Sequence, residues 1–161
     1  MKTLTLLLLS AVLLFGSATY QFKDLYKTED GLLTDKKLKP ITGLIFTYYK
    51  TGEFRATIEY KNGVRHGMTI MHRKDASKFA ESMYFNGLEE GISKSYHVNG
   101  VPSIITSYIK GVVVGTEHYF DKNGKKTFEI KYKNGKIKSG LQYTASGKVL
   151  IMTDRDLVPF N

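Results

Sequence analysis

The chain has no cysteine. Disulfides and thiolate metal sites are closed to it, so its stability must come from packing and hydrogen bonding. Long apolar runs are also scarce. The longest covers residues 4–15, broken only by Thr5 and Ser10, and falls well short of the roughly 20 residues that span a bilayer as a helix. No segment sustains an apolar period of 3.6 residues, so almost no helix is expected in the chain beyond its leader. The spacings of familiar chemistry are missing too. His66, His72, His97 and His118 form no HxH or HExxH pattern, and no glycine-rich loop opens a helix. Glu89, Glu90 and Glu117 stand without a partner at a meaningful spacing. The reading is of a non-catalytic chain with no metal and no cofactor.

Repetition is what the chain does have. Residues 91–114 and 115–138 align column by column, pairing Gly91 with Gly115, Tyr96 with Phe120, Gly100 with Gly124, Tyr108 with Tyr132 and Gly111 with Gly135, each 24 residues apart. The same step runs back to Gly67 and Gly43, to Gly87 and Gly63, and to Tyr84 and Tyr60. A fixed period of this length marks a repeat array.

Each repeat reads as a β-hairpin. In residues 115–138 two β-branched and aromatic stretches flank the turn at 121–124, and a second turn follows at 133–135. Asn-Gly, the strongest short hairpin signal, occurs at Asn62, Asn86, Asn99, Asn123 and Asn134. Strict alternation then places Leu44, Phe46 and Tyr48 with Ala56, Ile58 and Tyr60 on one aromatic face. Ile92 and Tyr96 join Ile104, Thr106 and Tyr108 there, and Phe120 joins Phe128, Ile130 and Tyr132, with His72 and His118 on the same side. Arg55, Thr57, Glu59, Ser103, Ser107, Thr127, Glu129 and Lys131 fall on the polar face. The repeat core expected from this is Tyr48, Tyr60, Tyr84, Tyr96, Tyr108, Phe120 and Tyr132. The expected fold is all-β: an elongated, single-layer antiparallel meander of 24-residue hairpins, solenoid-like in its addition of units.

The organisation that follows has residues 1–18 as a cleaved signal peptide, with Lys2 ahead of the apolar run and Gly16, Ser17 and Ala18 at the cleavage site. Residues 19–42 form a degenerate cap, residues 43–138 the four repeats, and residues 139–161 a shortened hairpin and a capping tail. The second repeat departs from its fellows. Ala76 stands in a glycine column, and Phe79 and Met83 occupy polar-face positions beside Arg73, which makes Arg73, Phe79 and Met83 candidate partner contacts. The net charge is +9, much of it on turns. Lys125, Lys126, Lys133, Lys136 and Lys138 are the candidates for contact with an anionic surface.

The elements Tyr48 to Gly52, Tyr60 to Gly63, Tyr96 to Gly100 and Tyr132 to Gly135 resemble the bacterial variant of the MORN repeat over roughly residues 43–147. That family implies a β-hairpin array with binding or scaffolding roles. Eukaryotic arrays are associated with phospholipids and with scaffolding, and they use tryptophan freely, whereas this chain has none. Export, repeats and absent chemistry together lead to the expectation of a periplasmic, cell-surface or secreted module that holds a protein or glycan partner. The alternative is a peripheral binder of anionic lipid or polymer through the turn lysines. Nucleic acid is not expected.

Overall fold

The computed structural model describes residues 18–147 and 149–152. The expected leader, Ala18 apart, and the expected tail cap lie outside the described residues. Apart from one short 3₁₀ turn, the regular structure of the described residues is all strand. After β1 (Ala18–Gln21) come a single 3₁₀ turn (Phe22–Asp24) and two short strands, β2 (Tyr26–Lys27) and β3 (Leu33–Thr34). The array then runs β4 (Gly43–Tyr48), β5 (Phe54–Lys61), β6 (Val64–His72), β7 (Lys78–Phe85), β8 (Leu88–Glu89), β9 (Gly91–Tyr96), β10 (Pro102–Ile109), β11 (Val112–Phe120), β12 (Lys126–Lys133), β13 (Lys136–Tyr143) and β14 (Val149–Met152). From β4 onward, neighbours in the sheet are neighbours in sequence, with β8 a short extra partner on β7. The meander is therefore an open one. Its one parallel pairing is β1 on β4, with Ala18 opposite Gly43 and Gln21 opposite Phe46.

Two kinds of turn alternate. Between repeats, Asn62-Gly63, Asn86-Gly87, Lys110-Gly111 and Asn134-Gly135 all have positive φ at both positions, the backbone of a two-residue type I′ turn. Within repeats the loop is longer, and only its glycine has positive φ. Asn99-Gly100 and Asn123-Gly124 belong to this second kind, which corrects their assignment to the Asn-Gly hairpin type. The pattern is constant: His97 N donates to Val101 O at 2.9 Å and Gly100 N to His97 O at 3.0 Å, just as Arg73 N donates to Ser77 O at 2.8 Å and Ala76 N to Arg73 O at 3.0 Å. The second repeat thus keeps the loop of the others and holds Ala76 at φ 66° in place of a glycine.

The faces differ from those expected by strict alternation, and the cause is one recurrent irregularity. Thr47 pairs with Ala56 while Tyr48 pairs with Phe54, leaving Arg55 as an extra residue. Phe79, Ser103 and Thr127 are left over in the same way. These four bulges are 24 residues apart. One inserted residue flips a strand relative to its partner. The inner face therefore carries Ile45 and Thr47, not Leu44 and Phe46, beside Ala56, Ile58 and Tyr60. It carries Ser93 and Ser95, not Ile92, beside Ile104, Thr106 and Tyr108. In the fourth repeat it carries Glu117 and Tyr119, not His118, beside Phe128, Ile130 and Tyr132. Every strand residue of the array that is buried (Gly43, Ile45, Ala56, Thr69, Thr106 and Gly140) lies on this inner face. Tyr48, expected in the core, is 49% exposed, and Ile92 is 58% exposed.

A second layer exists at one place. The lead-in packs Leu33 and Ile41 on Ile45, with Tyr20, Leu25, Ile58 and Tyr60 around them. Backbone bonds seal it, from Leu33 N to Gly63 O and from Gly63 N to Ile41 O, both 2.8 Å. Burying three aliphatic side chains contributes about 1.5–3 kcal/mol each, so the lead-in covers part of the first repeat's inner face.

The Ala76 loop makes a direct test. A left-handed alanine costs about 1–2 kcal/mol, partly offset by the greater chain entropy of an unfolded glycine. Ala76→Gly is expected to stabilise the protein by about 0.5–1 kcal/mol, and Gly100→Ala at φ 82° to destabilise it by about 1 kcal/mol. Urea unfolding midpoints measure both.

Candidate binding face

Repeats are stitched together at both strand ends. At the tight-turn end, Gly63, Gly87 and Gly111 donate their N–H to Ile41, Arg65 and Glu89 O, each at 2.8 Å. At the loop end a side chain does the work. Tyr49 Oη donates to His72 O at 2.8 Å, Arg73 Nη2 donates to Tyr96 O, and His97 Nε2 lies 2.8 Å from Phe120 O. These three residues occupy one column of the repeat and share no chemistry beyond a donor. Arg73 also bonds Lys78 O at 2.7 Å and stacks over Phe79, with its guanidinium carbon 5.0 Å from the ring centroid. Its place in the structure is thus largely taken up by holding two repeats together. Phe79 and Met83 remain 44% and 40% exposed on the outer face, where Phe85, Leu88 and Ile92 extend the same apolar tract.

The lysine candidates do not come together. Lys125 and Lys126 lie at the loop end of β12, and Lys133 and Lys136 face each other across the tight turn at its other end. At about 3.4 Å per residue the length of β12 separates them by more than 20 Å. Lys126 is further engaged by Glu129.

That engagement belongs to an outer-face pattern with no counterpart in the expected sites. Lys78 Nζ is 2.9 Å from Glu81 Oε2, and the Tyr96 hydroxyl donates to Glu81. Forty-eight residues on, Lys126 pairs with Glu129, and the Tyr143 hydroxyl donates to Glu129 Oε2 at 2.7 Å. His118 Nδ1 adds a contact at 2.9 Å to Glu129 Oε1. Residues three apart on a flat strand point to opposite faces, and the bulges at Phe79 and Thr127 bring each Lys-x-x-Glu onto one side. The hydrogen bonds from Lys126 and Tyr143 hold the Glu129 carboxyl down at about 2. Those from Tyr96 and Lys78 lower Glu81. Burial, then the bond to Glu81, pushes Tyr96 up to about 12.

The inner face is built differently. Tyr60, Tyr84, Tyr108 and Tyr132 form one column across it. A second column reads Ile45, Thr69, Ser93, Glu117, passing from apolar to charged along the array. Glu117 accepts from Thr106 Oγ1 at 2.7 Å, Tyr119 Oη at 2.8 Å and Tyr132 Oη at 3.2 Å. Burial and this carboxylate raise Tyr119, and they push Tyr132 up to about 12. Two hollows lie along this face. One of about 250 Å³ is lined by Ser93, Ser95, Thr106, Tyr108, Glu89 and Glu117 among others. The other, of about 520 Å³, lies between the lead-in and the second repeat, with Lys23, Arg55, Arg65, Thr69, Met71 and Tyr84 in its wall. Neither was foreseeable while Thr69, Ser93 and Glu117 were assigned to no face. Among the described residues no three His, Asp or Glu side chains come together to hold a metal.

No protein-family model and no curated protein matches this chain.

Glu129 supplies a pH test. Its pKa is depressed on folding, so its contribution is present above the ordinary value of 4.5 and is lost as pH falls toward about 2. Glu129→Gln is expected to cost about 1 kcal/mol near neutral pH, with the gap to the parent closing as pH approaches 2. Thermal unfolding across that window checks it.

Proposed function

We propose that this chain is an exported, MORN-like binding module without catalytic activity, and that a protein or glycan partner lies across the strands of its inner face. The observation that carries the reading is the column Tyr60, Tyr84, Tyr108, Tyr132, repeated every two strands and so at about 10 Å. Rings at that spacing, interleaved with the hydroxyls of Ser93, Ser95 and Thr106, offer apolar faces and polar tips to an extended ligand. The acids on both faces support binding over catalysis. Glu117, Glu81 and Glu129 are already occupied as acceptors of hydroxyl or ammonium groups, which leaves them poor general bases.

The lysine-driven alternative has less behind it. Surface charge attraction is worth about 1 kcal/mol per basic residue only where several sit together near one membrane plane, and the five lysines divide between opposite strand ends.

The experiment is capture by the immobilised full chain from a panel of purified envelope proteins and isolated cell-wall glycans, at low and raised salt. The double variant Tyr84→Ala/Tyr108→Ala is expected to lose capture at least tenfold, and Lys133→Gln/Lys136→Gln to retain it, with little salt dependence in the parent. Binding confined to anionic vesicles, weakened by salt and by the lysine variant, would sink the reading.

A further inference from the structure

We propose that the smaller hollow of the inner face, lying across β7 to β11, holds a glycan that carries free amino groups. The inference rests on the reading of this face as a binding surface, and it names the chemistry of the ligand. A stripe of small polar residues crosses the middle of the sheet. Thr69 is opposite Ser82, Ser93 is opposite Thr106, and Thr106 Oγ1 donates to Glu117 at 2.7 Å. Beside the stripe Ala80 is opposite Ser95, so the hollow is floored by Ala80, Ser82, Ser93 and Ser95. Its volume of about 250 Å³ falls below the roughly 300–1,000 Å³ of pockets that enclose a small molecule. A shallow trench of this kind suits a chain laid along the face. An apolar chain is disfavoured, because covering these hydroxyls with it would leave them unpaired.

Three hydroxyls of the trench are free to bond a ligand. Ser82 Oγ, Ser95 Oγ and Tyr108 Oη line it without a hydrogen-bond partner among the described residues, and unlike Thr69 Oγ1 none of them is closed off from solvent. Each both donates and accepts, as the hydroxyls of a sugar do, and the Tyr108 ring adds an apolar face for a pyranose to lie on. The sign of the charge follows from comparing the two faces of the sheet. The outer-face acids Glu81 and Glu129 are ion-paired with Lys78 and Lys126. The inner-face acids Glu89 and Glu117 belong to no ion pair among the described residues. Ser93 Oγ donates to Glu89 at 3.4 Å, and Glu117 accepts from Thr106, Tyr119 and Tyr132. Hydroxyl donors solvate a carboxylate but do not cancel its charge. Lys94 also borders the hollow, yet its Nζ lies 3.8 Å from Glu81 on the outer face. Burial, then the charges of Glu89 and Glu117, raises Tyr108, as a negative field at its hydroxyl requires. Two carboxylates without a counter-ion attract an ammonium group and repel a carboxylate or phosphate. An amino sugar is the glycan that answers both the hydroxyls and the charge.

The test is calorimetric titration of the full chain with the glucosamine tetramer of chitosan, at a pH that keeps its amines charged. The fully N-acetylated tetramer keeps the rings and hydroxyls without the charge, and tetralysine keeps the charge without the sugar. The glucosamine tetramer is expected to bind about tenfold more tightly than either match, the contribution of a charge-assisted hydrogen bond. Glu89→Gln should weaken it about tenfold and leave the acetylated tetramer unchanged. Ser95→Leu, which fills the floor of the trench, should weaken both tetramers, and Glu81→Gln on the outer face should change neither. Glu117→Gln should act as Glu89→Gln does, and the Glu89 variant keeps the test open if the loss of Glu117 disturbs folding. Equal affinity for the charged and acetylated tetramers, tetralysine bound as tightly as the sugar, binding indifferent to both Glu89→Gln and Ser95→Leu, or no binding would each overturn the proposal. Its failure is distinct from that of the wider reading. Envelope capture lost in the Tyr84→Ala/Tyr108→Ala variant, with no glucosamine tetramer bound, leaves the inner face a binding surface for another ligand. Capture indifferent to those tyrosines removes both.

Discussion

One extra residue at each within-repeat loop governs which side of the sheet turns inward. Arg55, Phe79, Ser103 and Thr127 each sit between two ladder pairs that would otherwise be successive. Without the bulge, Phe46 would oppose Ala56 and Leu44 would oppose Ile58, so every first strand would turn its other side inward. The inserted residues are a cation, an aromatic ring and two small hydroxyls. Such unlike side chains at one position mean that the bulge is set by how the backbone returns from its loop.

Register of this kind has to be passed from repeat to repeat, and the linkage is local. Gly63 reaches back to the lead-in, Gly87 and Gly111 reach back to the preceding repeat, and Tyr49, Arg73 and His97 reach forward to the next. Tyrosine, arginine and histidine are interchangeable there because the acceptor is always a main-chain carbonyl and only a donor of sufficient length is required. In the fourth repeat the column holds Asp121, which has no donor to offer and instead accepts from Asn123 N and Lys125 N of its own loop, both at 2.9 Å. The forward ladder therefore stops at this residue, and β13 and β14 follow it. Nearest-neighbour coupling of this form is the energetic signature of a linear array.

The features legible in the sequence are those that depend on residue type at a fixed spacing. The period, the strands and the turns at Asn62, Asn86 and Asn134 all follow from where glycine, asparagine and β-branched residues recur, and the open meander follows from them. Facing was not legible, because a bulge carries no side-chain signature and one unseen residue inverts a strand. The same blindness hid the Lys78–Glu81 and Lys126–Glu129 pairs, which look misaligned on a flat strand. The spread of the lysines was hidden for another reason: Lys126 and Lys133 are close in sequence, yet an extended strand carries them apart. Ala76 stands in a glycine column, and alanine there adopts the left-handed backbone at a cost in strain.

The column Ile45, Thr69, Ser93, Glu117 shows how a single-layer sheet deals with its inner face. Where the lead-in covers the sheet, Ile45 is fully buried and needs no partner. Far from that cover, Glu117 binds three hydroxyls and stays satisfied. Thr69 stands at the border between the two regimes, buried by its neighbours but next to an open hollow instead of a packed layer. An aliphatic residue there would pack against its neighbours with nothing left to pair, and a longer polar one would find a hydroxyl or carboxylate across the strands. A threonine does neither. Its hydroxyl is closed off from solvent and has no hydrogen-bond partner among the described residues. The inner-face column thus changes with its cover, apolar where the second layer lies on it and hydroxyl or carboxylate where it does not, because a single-layer sheet must satisfy across its own strands whatever a second layer does not bury.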